Sequence, residues 1–301
     1  MAKPIHRYEN LLMDSARWSR YSPRADDIII STPYKAGTTW TQRICSLLIY
    51  KERGLEVEIN QLSPWLDAKF ASIDSVLAAY DAQTERRFFK THTPLSGLPY
   101  YSEVSYVVVG RDPRDIFMSM QHHYANMDPE RAAELLDVSV QEFGAGPALP
   151  DDLNERFKLW LTKGSFPWEQ DGFPLWSVFY HLQSFWDIRS RGNVYFMHYQ
   201  DMLDDLSAEM AGLAAFLNIE IPEASWPVLI ETATFESMKN DAARNAPNAH
   251  KDLWRESREF FHRGTSGQWR GQLSEENLQL YEQVKNQRLD SALAAWLDNR
   301  S

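Results

Sequence analysis

Three clusters of residues in this sequence have the types and spacing to handle an anion. The first is Pro33-Tyr34-Lys35-Ala36-Gly37-Thr38-Thr39-Trp40. It lies between an apolar run that reads as a strand and a pattern that reads as a helix. In a parallel α/β sheet such a turn falls at the carboxyl edge, where ligands bind. Successive N–H groups there can surround an anion, and the helix start adds about half a positive charge. Gly37 lets the backbone approach, Thr38 and Thr39 offer hydroxyls, and Lys35 adds a full charge. A plain helix cap beside a surface lysine would explain a lone Gly-Thr-Thr; the flanking strand and helix, with Lys35 and Trp40 at the edges, favour the anion site. The nucleoside-triphosphate loop is excluded, because its lysine follows a second glycine and no Gly-Lys-Ser/Thr occurs in the chain.

The second cluster is Lys90-Thr91-His92-Thr93-Pro94. Strand alternation puts Lys90 and His92 on one side. An imidazole can take the proton of an attacking alcohol near neutral pH, and a lysine two residues away can offset charge on a transferred group. A hydrogen-bonded structural histidine at a strand end is the alternative. His122 and His123 are weaker candidates, in a pocket wall or simply packed. The third cluster runs from Val107-Val-Val-Gly-Arg111 to Ser119, eight residues further on. A buried strand delivers Arg111 to the sheet edge, Pro113 suits a first helical turn, and the Arg111 guanidinium presents a planar fork for phosphate. The rival reading pairs Arg111 with Asp112 or Asp115 in a surface ion network.

The elements that must position these groups recur as strand, turn, helix. Strands are expected over Asp27–Thr32, Arg87–His92, Ser105–Gly110 and Asn193–His198, and helices over Thr38–Tyr50, Pro113–Ala125 and Asp205–Leu217. Ile44, Leu47, Leu48 and Cys45 would face the core. The pattern predicts an α/β fold: a P-loop-like parallel sheet flanked by helices on both faces. No linker divides the chain, so residues 1–301 are expected to form one domain with loop excursions at Gly144–Asp152 and Ser165–Trp176.

In family order, these motifs resemble the cytosolic-type sulfotransferases that use 3′-phosphoadenosine-5′-phosphosulfate (PAPS). That family opens with Tyr-Pro-Lys-Ser-Gly-Thr-Thr-Trp, from which this loop departs at Tyr34 and Ala36, and continues with Lys-Thr-His-x-Pro. Its Arg and Ser, also eight apart, hold the 3′-phosphate. Phe260-Phe261-His262-Arg263-Gly264-Thr-Ser-Gly267-Gln268-Trp269-Arg270 is similar to Arg-Lys-Gly-x-x-Gly-Asp-Trp-Lys, with His262 for an arginine and Gln268 for the aspartate. Ala233-Thr234-Phe235-Glu-Ser-Met238 is similar to Thr-Ser-Phe-x-x-Met, and Tyr199 stands in a Tyr-Glu-Asp-Met-like segment.

The resemblance implies that residues 35–39 hold the 5′-phosphosulfate and that Trp40, Phe235 and Tyr199 surround the adenine, with Thr234 and Met238 beside it. It puts Arg111, Ser119, Phe261, His262, Arg263 and Gly264 around the 3′-phosphate. His92 becomes the base, Lys35 and Lys90 the charge stabilisers, and PAPS the co-substrate leaving as adenosine 3′,5′-bisphosphate (PAP), with no metal. Ser63-Pro-Trp-Leu-Asp67 and Asp81-Ala-Gln83 look closest to bacterial glycolipid-type branches, implying a hydrophobic alcohol, phenol or glycolipid acceptor. Phe166, Trp168 and Phe173 are expected to roof that acceptor. Where the family carries its dimer motif, Arg270–Gln279 matches poorly, so oligomeric state stays open.

The rest of the sequence narrows the field. With 31 Lys+Arg against 42 Asp+Glu the net charge is −11, which argues against nucleic acid or an anionic membrane as partner. One cysteine, Cys45, excludes an internal disulfide or a multi-cysteine metal site. The N-terminal decapeptide has no signal-length apolar core and no run is long enough to span a bilayer, so a cytoplasmic protein without membrane insertion is expected. Two rivals stand: a kinase-like phosphoryl transferase with Asp112 as ligand of a divalent ion, and a non-catalytic nucleotide- or lipid-binding protein of the same fold.

Overall fold

A computed structural model describes residues 3–51 and 57–298; Met1 and Ala2 of the N-terminal decapeptide lie outside it. Four strands, β1 (Ile28–Ser31), β2 (Phe88–Thr91), β3 (Ser105–Gly110) and β4 (Val194–His198), form one parallel sheet in the order β2-β1-β3-β4. Each is a short run rich in β-branched or aromatic residues; β1, β2 and nearly all of β3 are buried on both faces, while Tyr195 and Phe196 of the edge strand β4 are half-buried. Alternation sorts the side chains into two cores. Ile28, Ile30, Phe88, Val107, Val109 and Met197 face one; Ile29, Phe89, Tyr106, Val108 and Val194 face the other.

The first core is closed by helix α1 (Thr38–Tyr50), through Ile44, Cys45, Leu47 and Leu48, and by the helices Leu206–Phe216 and Trp226–Ala233. The second is closed by helix α2 (Pro113–Asn126), through Ile116, Phe117 and Met120, and by Leu153–Thr162, Val178–Trp186 and Glu275–Arg288. The expected strands and helices occur within one or two residues of their sequence-read bounds. Pro113 opens α2 in its first turn, and the Asp112 carboxylate caps it by accepting from the Arg114 N–H.

The order β2-β1-β3 makes β1 the place where connections diverge to either side. Ligands in open α/β sheets bind at such a point, beyond the strand ends. The turn 32–37 after β1, the extension Thr91-His92 of β2 and Arg111 after β3 all emerge there.

Candidate functional site

Residues 32–37 form a concave loop by adopting two left-handed conformations. Lys35 has φ +65° and Gly37 φ +111°. For Gly37 the reason is also steric: a Cβ would stand 3.1 Å from the Tyr199 ring. A non-glycine residue with positive φ costs about 1 kcal/mol or more, so Lys35 is held there by its surroundings. Gly37 is the N-cap of α1 and offers no side-chain hydrogen bond; the first intrahelical donor is the Thr41 N–H, to the Gly37 carbonyl. The N–H groups of Thr38, Thr39 and Trp40 are thus the donors of an uncapped helix start.

A cavity of about 360 Å³ opens on this loop. Its wall includes Lys35, Gly37, Thr38, Thr39, Trp40, Lys90, His92, Arg111 and Ser119. Tyr199, Phe235, Met238, Phe261, His262, Arg263 and Gly264 complete the sequence-expected set. Two expected residues lie outside the wall. Ala36 is fully buried in the second core, and its N–H is used by the Pro33 carbonyl, 3.3 Å away. Thr234 is the N-cap of the short helix Phe235–Asn240: its hydroxyl accepts from the Ser237 N–H and donates to the Glu231 carbonyl. Both are spent on holding backbone.

Around His92 the proton positions follow from the partners. His92 Nδ1 lies 2.9 Å from the Thr32 carbonyl oxygen, which can only accept, so Nδ1 carries the proton and Nε2 keeps its lone pair. Burial pushes the His92 pKa down to about 3, with Lys90 and Lys35 acting in the same direction. Burial also lowers Lys35, helped by Arg111 and Lys90, to about 7, and Lys90 to about 8. Lys90 is ranged over the Trp65 ring, 5.2 Å from its centroid. On the opposite side of β2, Thr91 and Thr93 both donate to Asp67 Oδ2, as does the Trp18 indole, which fixes the strand that presents Lys90 and His92.

Arg111 donates to the carbonyls of Lys35 and Thr265 at 3.0 and 3.2 Å and lies over the Tyr199 ring. The ion-network reading of Arg111 fails because both neighbouring carboxylates are engaged elsewhere. Asp112 receives the Arg114 guanidinium and the Trp269 indole N–H, and Asp115 receives the N–H groups of Gly267 and Gln268. Those last two bonds also tie the 261–270 segment to α2. Gly264, with φ +63°, packs so closely that a Cβ would fall 2.5 Å from the Phe235 ring. The Trp40 and Phe235 planes are 71° apart at 6.5 Å, so the two rings form a corner instead of parallel plates. His262 stacks on His122 at 3.7 Å.

The aromatic loop excursion is where sequence reasoning went astray. Phe166 and Trp168 pack on Tyr8 and His6, and the Phe173 face takes the Lys163 ammonium; none lines the cavity. The cavity's far end is closed instead by Pro64, Trp65, Ala68 and Phe70 and by Asn248, Leu253 and Trp254. The two segments meet where the Asn60 amide donates to Asn248 Oδ1 at 3.3 Å. Trp65 and Tyr34 stand edge-on to His92, with ring centroids at 5.0 and 4.6 Å. His123, rated weakly from sequence, is 7% exposed and bonded to both Tyr34 and Lys35. Its place four residues after Ser119, on the same helix face, is the signal the sequence offers.

Comparison with known proteins adds three findings. The family model described as "Sulfotransferase domain" matches residues 25–292. A glycolipid sulfotransferase of Mycobacterium bovis is 37% identical over 96% of this chain and 93% of its own length, and sulfotransferase 1A1 of Canis lupus familiaris is 26% identical over 89% and 84%. Among solved structures, mouse sulfotransferase SULT7A1 complexed with PAP superposes with a TM-score of 0.71 at 19% identity, covering 96% of this chain and 98% of that one. Retinol dehydratase, solved with androsterone and inactive cofactor PAP, gives 0.70 at 22% identity over 92% and 84%.

Proposed function

This chain belongs to the sulfotransferase domain family, and from that premise we propose that it transfers the sulfuryl group of PAPS to an acceptor hydroxyl, with His92 as general base. The observation that carries the reading is a single cavity wall holding two sets of cations, Lys35 with Lys90 and Arg111 with Arg263, together with a neutral imidazole whose Nε2 is bare. The first set serves the phosphosulfate and the second the 3′-phosphate. The acceptor oxygen gives its proton to His92 Nε2 as its bond to sulfur forms. The sulfur–oxygen bond to the 5′-phosphate breaks, and its electron pair leaves with PAP. Lys35, Lys90 and the N–H groups at the start of α1 neutralise the charge that grows on that phosphate. A dry wall of Trp65, Phe70, Leu253 and Trp254 beyond His92 suits an apolar alcohol, phenol or glycolipid.

A phosphoryl-transfer enzyme would need Asp112 for a divalent ion, and its oxygens already serve Arg114 and Trp269. The test has two parts. Thermal shift with PAP, ATP and adenosine 5′-phosphate should show the greatest stabilisation by PAP. Turnover of PAPS against a panel of phenols, fatty alcohols and glycolipids should then release PAP. Equal shifts by all three nucleotides would overturn the assignment of Arg111 and Ser119, and PAP binding with no turnover on any acceptor would leave a binding protein.

A further inference from the structure

The cavity contains a hydrogen-bonded chain that the scheme above does not use. His123 sits in the last turn of α2, the helix that follows Arg111 and carries Ser119 at its middle. Its Nδ1 lies 3.2 Å from Lys35 Nζ and its Nε2 3.0 Å from the Tyr34 hydroxyl. Trp254 and Phe260 flank the ring at 4.8 and 5.9 Å, and Phe260 also underlies the Lys35 ammonium at 4.4 Å. We propose that His123 is a positioning residue for sulfuryl transfer, and that it aims the Lys35 ammonium and leaves the Tyr34 hydroxyl proton free for an oxygen of the sulfuryl group.

The direction of each bond is fixed by chemistry. A protonated lysine has donors only, so Nδ1 of His123 accepts. A neutral imidazole has one donor nitrogen, so Nε2 carries the proton and gives it to the Tyr34 oxygen. The Tyr34 O–H is then left pointing elsewhere, and Tyr34 lines the cavity edge-on to His92 at 4.6 Å. Burial holds His123 well below the usual histidine range, with Lys35, His92 and Lys90 pressing the same way, so the neutral form persists at physiological pH. Burial likewise raises the Tyr34 phenol, which stays a donor.

A neutral acceptor is what this position calls for. The charges acting on Lys35 are cations, Arg111 and Lys90. A carboxylate in place of His123 would hold Lys35 more strongly but would also neutralise it and repel the phosphosulfate. An imidazole orients the ammonium by one hydrogen bond and leaves its charge for the substrate. Because Arg111 donates to the Lys35 carbonyl while His123 accepts from its ammonium, both ends of the Lys35 residue are held, one by the residue before the α2 cap and the other by the last turn of α2.

The proposal rests on Lys35 being the cation at the phosphosulfate, and the experiment separates the two. PAP affinity is measured by calorimetry from pH 6 to 9 for the wild type, Lys35→Ala, His123→Asn and His123→Gln. An asparagine amide overlays Nδ1 and can still accept from Lys35; a glutamine amide overlays Nε2 and reaches only Tyr34. The affinity falls as Lys35 loses its proton near pH 7, with Arg111, Lys90, His92, His122 and His123 the other titratable or charged groups around it. Expected is a midpoint within a few tenths of a pH unit of wild type for His123→Asn and lower by about one unit for His123→Gln. Equal midpoints for the two variants overturn the proposal. Lys35→Ala binding PAP like the wild type would instead remove the premise. Tyr34→Phe tests the other arm without touching His123: PAPS should bind about tenfold more weakly while PAP stays within about twofold. Loss of both ligands to the same extent, or of neither, overturns the assignment of Tyr34.

Discussion

At the residue scale, the site turns on basic groups held out of water. His92 is neutral throughout the physiological range because burial has pushed its pKa to about 3, and that makes it available to accept a proton but a weak base in the empty site. The negative charge of a bound phosphosulfate or of PAP should favour the imidazolium, so the His92 ring resonances are expected to titrate at higher pH with PAP than without it, followed by NMR. An unchanged midpoint would mean that the ring does not sense the phosphate. With His92 as the proposed base, His92→Ala is expected to lower kcat by about 10²- to 10⁴-fold while PAP binding stays within about threefold, measured by PAP release and calorimetry. Full turnover in that variant would mean another group takes the proton. Lys90 is held beside His92 by the Trp65 indole face, which accepts the ammonium without cancelling its charge.

At the scale of the elements, two glycines stand where the backbone of the cavity wall is crowded by rings. Gly37→Ala must place a Cβ 3.1 Å from the Tyr199 ring at φ +111°, and Gly264→Ala one 2.5 Å from Phe235 at φ +63°. Each is expected to weaken PAP by about 5- to 150-fold, because strain of about 1–3 kcal/mol falls on the loop or on the 261–270 segment proposed to hold it. Calorimetry reads the loss, and thermal melting without ligand shows whether the fold is kept. An alanine at Gly264 that binds PAP normally would place the 261–270 segment away from the phosphate. These elements were legible in the sequence because the strands are uninterrupted apolar runs such as Ile28–Ile30 and Val107–Val109, and the turns after them carry Gly37 and Pro113. The cavity's far wall was not legible. Phe166 and Trp168 have the same composition as a pocket lining, and only the chain's return past Tyr8 and His6 decides that they pack inward on the N-terminal segment. Trp65 and Trp254 sit in irregular segments, where no periodicity says which way a ring points. The Tyr34–His123 contact escaped for a related reason: the two residues lie far apart in sequence, and their meeting is a property of α2 crossing behind the 32–37 loop.

At the scale of the whole molecule, a chain of net charge −11 keeps a pocket of cations, and the cost of that pocket can be read against pH. Lys35 and Lys90 have folded-state pKa values near 7 and 8, well below the usual lysine value. The unfolded chain therefore binds more protons than the folded one between about pH 7 and 10, and unfolding free energy of the ligand-free protein should rise with pH through that window on their account. The buried histidines act at the acid end with the same sign. His92, His123 and His181 stay neutral when folded but take protons once unfolded below about 6.5, so stability should drop as pH falls below that point. On the proposed function, ligand binding runs against the lysine trend, because PAP would be held by both ammonium groups in their charged form. The rise in Tm given by saturating PAP should consequently be greatest near pH 6.5 and shrink above pH 8, while the Tm of the free protein moves the other way over the same interval. Thermal melts with and without PAP in one buffer series decide it. A PAP-induced shift that stayed constant from pH 6.5 to 9 would mean that Lys35 and Lys90 are charged before the ligand arrives, and that the buried cations are stabilised by something other than a bound phosphate.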